Sequence, residues 1–161
     1  MDNGSFSNMI NCEFENGNRT SLRHVTVDCL VLKEGNVLLV KRAGNLLEGG
    51  KWALAGGFVN RDETTKEAAA REIMEETGYE VEEITLLQVI DIPDRPNDDR
   101  QNIAFVYFCN ARNKVGVADE ESDEQKWFPL EALPSESEIA FDHLDSIKLY
   151  QRIYEKSLSK S

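Results

Sequence analysis

The sequence has no long apolar run and no excess of basic residues, and both absences exclude classes of protein. No stretch approaches the roughly 18 consecutive apolar residues that a membrane-spanning helix needs. The N-terminus has no positively charged start followed by an apolar core, so we expect no secretory signal there. The 161 residues carry 18 Lys and Arg against 30 Asp and Glu, and this net charge of −12 argues against binding to nucleic acid or anionic membranes.

Cysteine is also scarce. The three cysteines, Cys12, Cys29 and Cys109, are odd in number and lack the spacing of a metal site. We therefore interpret them as reduced thiols rather than as a disulfide framework. This usage predicts a cytoplasmic protein.

What remains is a chain that can fold as one α/β (α+β) domain. About 40% of its residues are hydrophobic, and they form separated runs that can build a core. The runs predict a hairpin of two strands (24–32 and 37–40), a strand at 52–59 interrupted by two glycines, a helix at 64–77, strands at 84–90 and 103–109, and a final helix at 141–158. We expect residues 1–20 to be a tail or a weak first strand and residues 21–158 to form the single domain, with helices covering a mixed sheet.

The predicted central helix carries three carboxylates on one face. At about 100° per residue, Glu72, Glu75 and Glu76 share an arc of about 100°. Three like charges this close repel each other, so a bound cation would turn repulsion into coordination. The alternative interpretation is an ordinary solvated helix face, and the glutamates alone do not decide between the two.

Residues 57–79, GFVNRDETTKEAAAREIMEETGY, resemble the signature of the Nudix hydrolase family, G-x5-E-x7-R-E-U-x-E-E-x-G-U, in which U is a bulky apolar residue. Tyr79 stands where an aliphatic residue is usual, and Ala55 where many members have proline. The matching positions are Gly57, Glu63, Arg71, Glu72, Ile73, Glu75, Glu76 and Gly78.

The resemblance implies an α/β/α sandwich around a central mixed β-sheet, and a metal-dependent active site. It implies that Mg²⁺ or Mn²⁺ is held by Glu72, Glu75 and Glu76 together with the backbone carbonyl of Gly56. Arg71 would orient these glutamates and pair with Glu63. The general base would be a glutamate of the signature or one on the acidic loop at 119–124, where Glu121 is the nearest match.

Two features outside the signature suggest where a substrate binds. Arg95 and Arg100, in the polar loop 91–102, could meet phosphate or a terminal ribose, or they could be surface charges that balance neighbouring aspartates. Residues 139–143 resemble a motif of ADP-ribose-cleaving Nudix domains. There Phe141 could stack on a base and His143 could hydrogen-bond it; alternatively, Phe141 belongs to the core and Asp142 caps the final helix.

The expected function is cleavage of the diphosphate linkage in a nucleoside diphosphate derivative, with ADP-ribose or a related nucleoside diphosphate sugar as the first candidate. One alternative is a nucleoside triphosphate pyrophosphohydrolase of the pool-sanitising kind. Another is a Nudix module that senses a nucleotide without cleaving it. The expected partner is a small nucleotide, without nucleic acid or membrane, and a homodimer is plausible.

Overall fold

The computed structural model of the chain describes residues 10–98, 100–118 and 122–155, without the side chains of residues 122 and 123. Glu121 therefore lies outside the described residues. Within them the chain forms β1 (Ile10–Glu13), β2 (Arg19–Leu22), β3 (Val25–Lys33), β4 (Asn36–Arg42), β5 (Trp52–Ala53), β6 (Ala55–Phe58), α1 (Thr65–Thr77), β7 (Tyr79–Ile90), β8 (Ile103–Lys114), β9 (Ser122–Pro129) and α2 (His143–Tyr150), with a 3-10 turn at Glu136–Glu138 and a π-helical turn at Gln151–Glu155.

The main sheet is mixed, as expected, and β3 lies at its centre. The strand order is β5-β4-β3-β8-β7, with β6 paired to β3 and β9 paired to β4. β3 runs parallel to β8 and antiparallel to β4 and β6. The predicted hairpin of the first two apolar runs corresponds to β3 and β4, whereas β1 and β2 form a separate two-stranded sheet.

Helices cover both faces of this sheet. Because successive residues of β3 point to opposite faces, this strand contributes to the core on each side. On one side, Val27, Cys29 and Val31 belong to the core cluster that includes Ala69 and Ile73 of α1. On the other side, the cluster includes residues of β3, β4 and β8 with Ile147 of α2, namely Leu30, Leu32, Val37, Leu39, Val106 and Ile147. The expected three-layer α/β/α sandwich is confirmed.

The ends of α1 follow from local sequence. Thr64 is the N-cap, and it forms a capping box with Glu67, whose side chain accepts a hydrogen bond from the Thr64 amide. Gly78 ends the helix with φ of 75°, a left-handed conformation that glycine adopts without steric cost. The predicted helix at 64–77 is confirmed, and with it the position of the three glutamates.

The expected interruption of the 52–59 strand at the two glycines is wrong. Gly56 and Gly57 lie inside β6, and the break between β5 and β6 falls at Leu54. A Cβ atom on Gly56 would lie 2.0 Å from the carbonyl oxygen of Val27 in β3. The glycine is therefore needed for close approach of two paired strands, not for a turn.

The final helix is shorter than expected. α2 begins at His143, and from Gln151 the chain continues as a π-helical turn to Glu155. Leu144 and Ile147 of its apolar face are buried, whereas Tyr154 is 36% exposed.

Candidate active site

A cavity of about 390 Å³ lies between α1, β6, the loop after β7 and the start of α2. Its walls contain nine of the residues singled out in the sequence: Gly56, Gly57, Glu72, Glu75, Glu76, Arg95, Arg100, Phe141 and His143. The fold therefore brings the glutamates of α1 and the distant substrate-binding candidates to one site.

The glutamates reach the cavity past the glycines of β6. Glu76, a residue only 7% exposed, accepts a hydrogen bond from the backbone amide of Gly56 at 3.1 Å. A Cβ atom on Gly57 would lie 2.5 Å from the carboxyl carbon of Glu72. Both glycines thus make room, one for a neighbouring strand and the other for a carboxylate.

Arg71 holds the remaining carboxylates. Its guanidinium donates to both oxygens of Glu63, at 2.9 and 2.5 Å, and to the backbone carbonyl of Phe58 at 3.0 Å. It also donates to Glu72 at 2.7 Å and to Glu75 at 3.1 Å. This arrangement matches the orienting role that the resemblance implies for Arg71.

The pairing changes the acidity of both partners. The hydrogen bond from Arg71, followed by one from the Asn60 amide, lowers the pKa of Glu63 from 4.5 to about 2. Conversely, the hydrogen bond to Glu63 is the largest influence on Arg71 and raises its pKa. Both groups are therefore charged at neutral pH.

The donor set suits a hard divalent cation. Three signature carboxylates share one guanidinium and a fourth, Glu76, lies against the Gly56 amide, so the cluster has an excess of the oxygen ligands that Mg²⁺ or Mn²⁺ prefers. Among the described residues, however, no three acidic, His or Cys side chains are already gathered around one metal position. Glu72 and Glu75 instead lie against Arg71, and Glu76 against an amide.

Arg95 is not a surface charge. Its side chain is 3% exposed and donates to both carboxylate oxygens of Asp142, at 2.9 and 2.6 Å. It also lies 3.8 Å from Asp28. The interpretation of Asp142 as a side-chain cap is wrong: Asp142 occupies the N-cap position but makes no capping hydrogen bond, since its carboxylate binds Arg95.

Arg100 occupies a different place in the same loop. Its guanidinium lies 5.6 Å from the centre of the Phe58 ring, beside the glycine end of the cavity. Its backbone amide donates to Asp98 at 3.0 Å, which fixes the turn that carries it. Arg100 therefore places a positive charge in the wall of the cavity.

Phe141 and His143 also line the cavity. Phe141 has φ of 53°, unusual for a bulky residue, and its ring lies 5.0 Å from the Arg42 guanidinium carbon. His143 is 4% exposed, and its Nδ1 accepts a hydrogen bond from the Leu54 amide at 3.0 Å. A neutral His143 therefore carries its proton on Nε2, which lies 3.5 Å from Asp28. Base stacking by Phe141 and base recognition by His143 stay predictions.

Sequence reasoning missed Asp28. It lies within the apolar strand β3 and lines the cavity, where it is 14% exposed. Burial alone raises its pKa, but His143 and Arg95 outweigh burial, and the pKa of Asp28 is lowered overall. A single acid inside a strand of β-branched and apolar residues was the available signal.

Comparisons with known proteins agree with this geometry. Residues 22–150 match the model of the NUDIX domain. The chain is 40% identical over 129 residues to an ADP-ribose pyrophosphatase of Methanocaldococcus jannaschii; the alignment covers 80% of this chain and 73% of that protein. It is 36% identical over 107 residues to a MutT-like protein of Streptomyces ambofaciens, and that alignment covers 66% of this chain and 64% of that protein.

A solved structure shows the same fold. The NUDIX hydrolase from Nitrosomonas europaea superposes with a TM-score of 0.72 at 26% identity, covering 96% of this chain and 92% of the other. The signature at residues 57–79, the mixed sheet and the cavity thus agree with the family match. We conclude that the chain belongs to the Nudix hydrolase family, enzymes that act on nucleoside diphosphate derivatives.

Proposed function

We propose that this enzyme uses Mg²⁺ or Mn²⁺ to hydrolyse ADP-ribose, or a related nucleoside diphosphate sugar, at its diphosphate linkage. The observation that carries the proposal is the glutamate cluster beside Gly57, which faces a cavity large enough for a nucleotide. The similarity to the M. jannaschii protein, named for its activity on ADP-ribose, supports the choice of substrate.

We assign some residues to binding the cation and others to positioning those ligands or binding a phosphate. Glu72, Glu75 and Glu76, with the Gly56 carbonyl, would hold the cation. When bound, that cation would neutralise the diphosphate oxygens and lower the pKa of the attacking water. Arg71 positions two of the glutamates, and Arg100 offers a positive charge to a phosphate.

The general base is also a proposal. A signature glutamate or Glu121 would accept the proton of the attacking water. Glu124, close to Glu121 in sequence, forms a 3.9 Å ion pair with Lys41 of β4.

The apolar part of the cavity lining is suited to a nucleobase. Phe141 contributes an aromatic ring, and Leu46, Leu47 and Leu54 contribute apolar side chains. A base bound against these residues would leave the glutamates available to the diphosphate and its cation. A nucleotide substrate and the free, buried thiols of Cys29 and Cys109 are consistent with a cytoplasmic location for the enzyme.

The domain limits of 21–158 and a homodimer also stay predictions. None of the described helices is both long and apolar enough to cross a membrane.

A substrate panel with product identification tests the proposed function. With Mg²⁺ or Mn²⁺, we expect ADP-ribose to give AMP and ribose 5-phosphate, and we expect a chelator to abolish turnover. Release of pyrophosphate from nucleoside triphosphates, without turnover of ADP-ribose or other nucleoside diphosphate sugars, would show a pool-sanitising enzyme instead. Binding of nucleotides without any turnover would show a sensing module.

A further inference from the structure

A carboxylate outside the glutamate cluster faces the same cavity. Asp28 Oδ1 lies 3.5 Å from His143 Nε2, and its Oδ2 lies 3.8 Å from Arg95 Nη2. Both separations exceed the usual 2.7–3.2 Å of an N–H···O hydrogen bond. The Asp28 carboxylate therefore keeps the capacity to accept hydrogen bonds from a ligand.

The two contacts hold Asp28 in place, but each of its oxygens keeps a lone pair for a further hydrogen bond. His143 is fixed by the Leu54 amide, and Arg95 is fixed by two hydrogen bonds to Asp142. One guanidinium thus serves two carboxylates. Because a carboxylate repels phosphate oxygens and accepts from hydroxyl groups, the complementary part of a nucleotide is a sugar or a base amine.

The position of Asp28 favours the sugar. Asp28 pairs across the sheet with Gly56, whose amide donates to Glu76. The Cα atoms of such a pair lie about 4.5–5.5 Å apart, so Asp28 is one strand spacing from the residue whose amide binds Glu76. In ADP-ribose the group bonded to the diphosphate on either side is a ribose, so a ribose is the part of the substrate that can reach this point.

We propose that Asp28 is a specificity-determining residue that accepts hydrogen bonds from the hydroxyl groups of a ribose attached to the cleaved diphosphate. Arg95 and His143 are its positioning residues rather than contacts to the base or phosphate. Carboxylates bind ribose hydroxyls in the same manner in dinucleotide sites. The inference rests on the proposed function and names the part of the substrate that is recognised.

The test compares ADP-ribose with analogues that lack the 2′-hydroxyl of either ribose. We expect wild-type enzyme to prefer ADP-ribose over one of them by about tenfold to a hundredfold, since an acceptor left without its donor weakens the complex. Asp28→Asn should lower kcat/KM for ADP-ribose by a similar factor, with little effect on that analogue. Asp28→Val, which removes both carboxylate oxygens and has a high strand propensity, should lower kcat/KM for ADP-ribose in the same way.

Asp145→Asn is the matched control. It removes an exposed carboxylate of α2 that does not line the cavity. We expect it to leave the melting temperature and the preference between the two substrates nearly unchanged. Melting temperatures of the Asp28 variants establish that the proteins compared are folded.

Equal factors for ADP-ribose and both analogues in Asp28→Asn would overturn the inference. Loss of discrimination between adenine and hypoxanthine substrates, with hydroxyl discrimination intact, would overturn it in favour of base recognition. If wild-type enzyme hydrolyses no nucleoside diphosphate sugar, the proposed function fails instead. Turnover by wild-type enzyme therefore separates the two failures.

Discussion

A single guanidinium organises the acidic cluster. Arg71 contacts Glu63, Glu72 and Glu75, which would otherwise repel one another on and beside α1. The i,i+4 pair with Glu75 alone would contribute only a few tenths of a kcal/mol. We therefore expect Arg71 to matter more for the positions of the proposed metal ligands than for the stability of one exposed pair.

The pairing with Glu63 predicts a pH-dependent loss of stability in one variant. The folded-state pKa of Glu63 is depressed from 4.5 to about 2. Its stabilising contribution is therefore complete above pH 4.5 and disappears as the pH falls through 2. We expect Glu63→Gln to have a lower free energy of unfolding than wild type at neutral pH, with the difference shrinking across this window. Denaturant unfolding between pH 7 and pH 2 measures it. A difference that does not change with pH would contradict the pairing.

Glu76 provides the test of the metal ligands. Glu76→Gln keeps an oxygen to accept the Gly56 amide hydrogen bond, so the fold should persist. Loss of the charge should lower kcat by at least about a hundredfold. Even mutation of residues that only hydrogen-bond to metal ligands lowers metal affinity or activity by about ten- to a hundredfold. Steady-state kinetics at varied Mg²⁺ measures the loss, and the exposed Glu80→Gln is the control. Unchanged turnover in Glu76→Gln and Glu72→Gln would place the metal elsewhere.

Residues were predictable where the information is local. The common face of Glu72, Glu75 and Glu76 follows from helical spacing alone. The partner of Arg95 was not predictable, because Asp142 lies 47 positions away and the two meet only through the fold. Asp28 was missed for the same reason, since the residues that surround it come from other segments.

At the scale of elements, the two adjacent glycines of β6 have different tasks. Gly57→Ala places a methyl group against a side-chain carboxylate, whereas Gly56→Ala places one against the β3 backbone. We expect Gly57→Ala to lose activity with a nearly normal melting temperature. Gly56→Ala should be destabilised by about 1–3 kcal/mol or more, because backbone cannot move aside as a side chain can. Thermal unfolding and kinetics of both variants give the comparison, and equal losses of stability would contradict it.

Element boundaries were predictable where a cap or turn marks them. The capping box and Gly78 define α1, and the turn before Asn36 defines the β3–β4 hairpin. β7 and β8 extend beyond their apolar cores, because backbone pairing continues through polar residues such as Glu82 and Asn110. The acidic loop expected at 119–124 is wrong for residues 122–124, because they pair with β4 and form the start of β9.

For the whole molecule, strands on both sides of a central helix correctly indicated a mixed sheet between helices. Composition cannot reveal which strands are neighbours. The parallel pairing of β3 with β8 joins segments about 80 residues apart, such as Val27 and Phe105, and depends on the complete core. The net charge of −12 likewise does not show which carboxylates lie together: Asp28, Glu72, Glu75, Glu76 and Asp98 line the cavity, a grouping that only the fold reveals.

The central place of β3 has a consequence for motion. This strand seats α1 through Val27 and Cys29 and carries Asp28 on its other side, and it pairs with three other strands. Its amides should be among the slowest to exchange with solvent, because opening them requires disruption of the core. We therefore expect any movement that admits substrate or releases product to arise in the connecting segments that line the cavity, while β3 beneath them stays rigid.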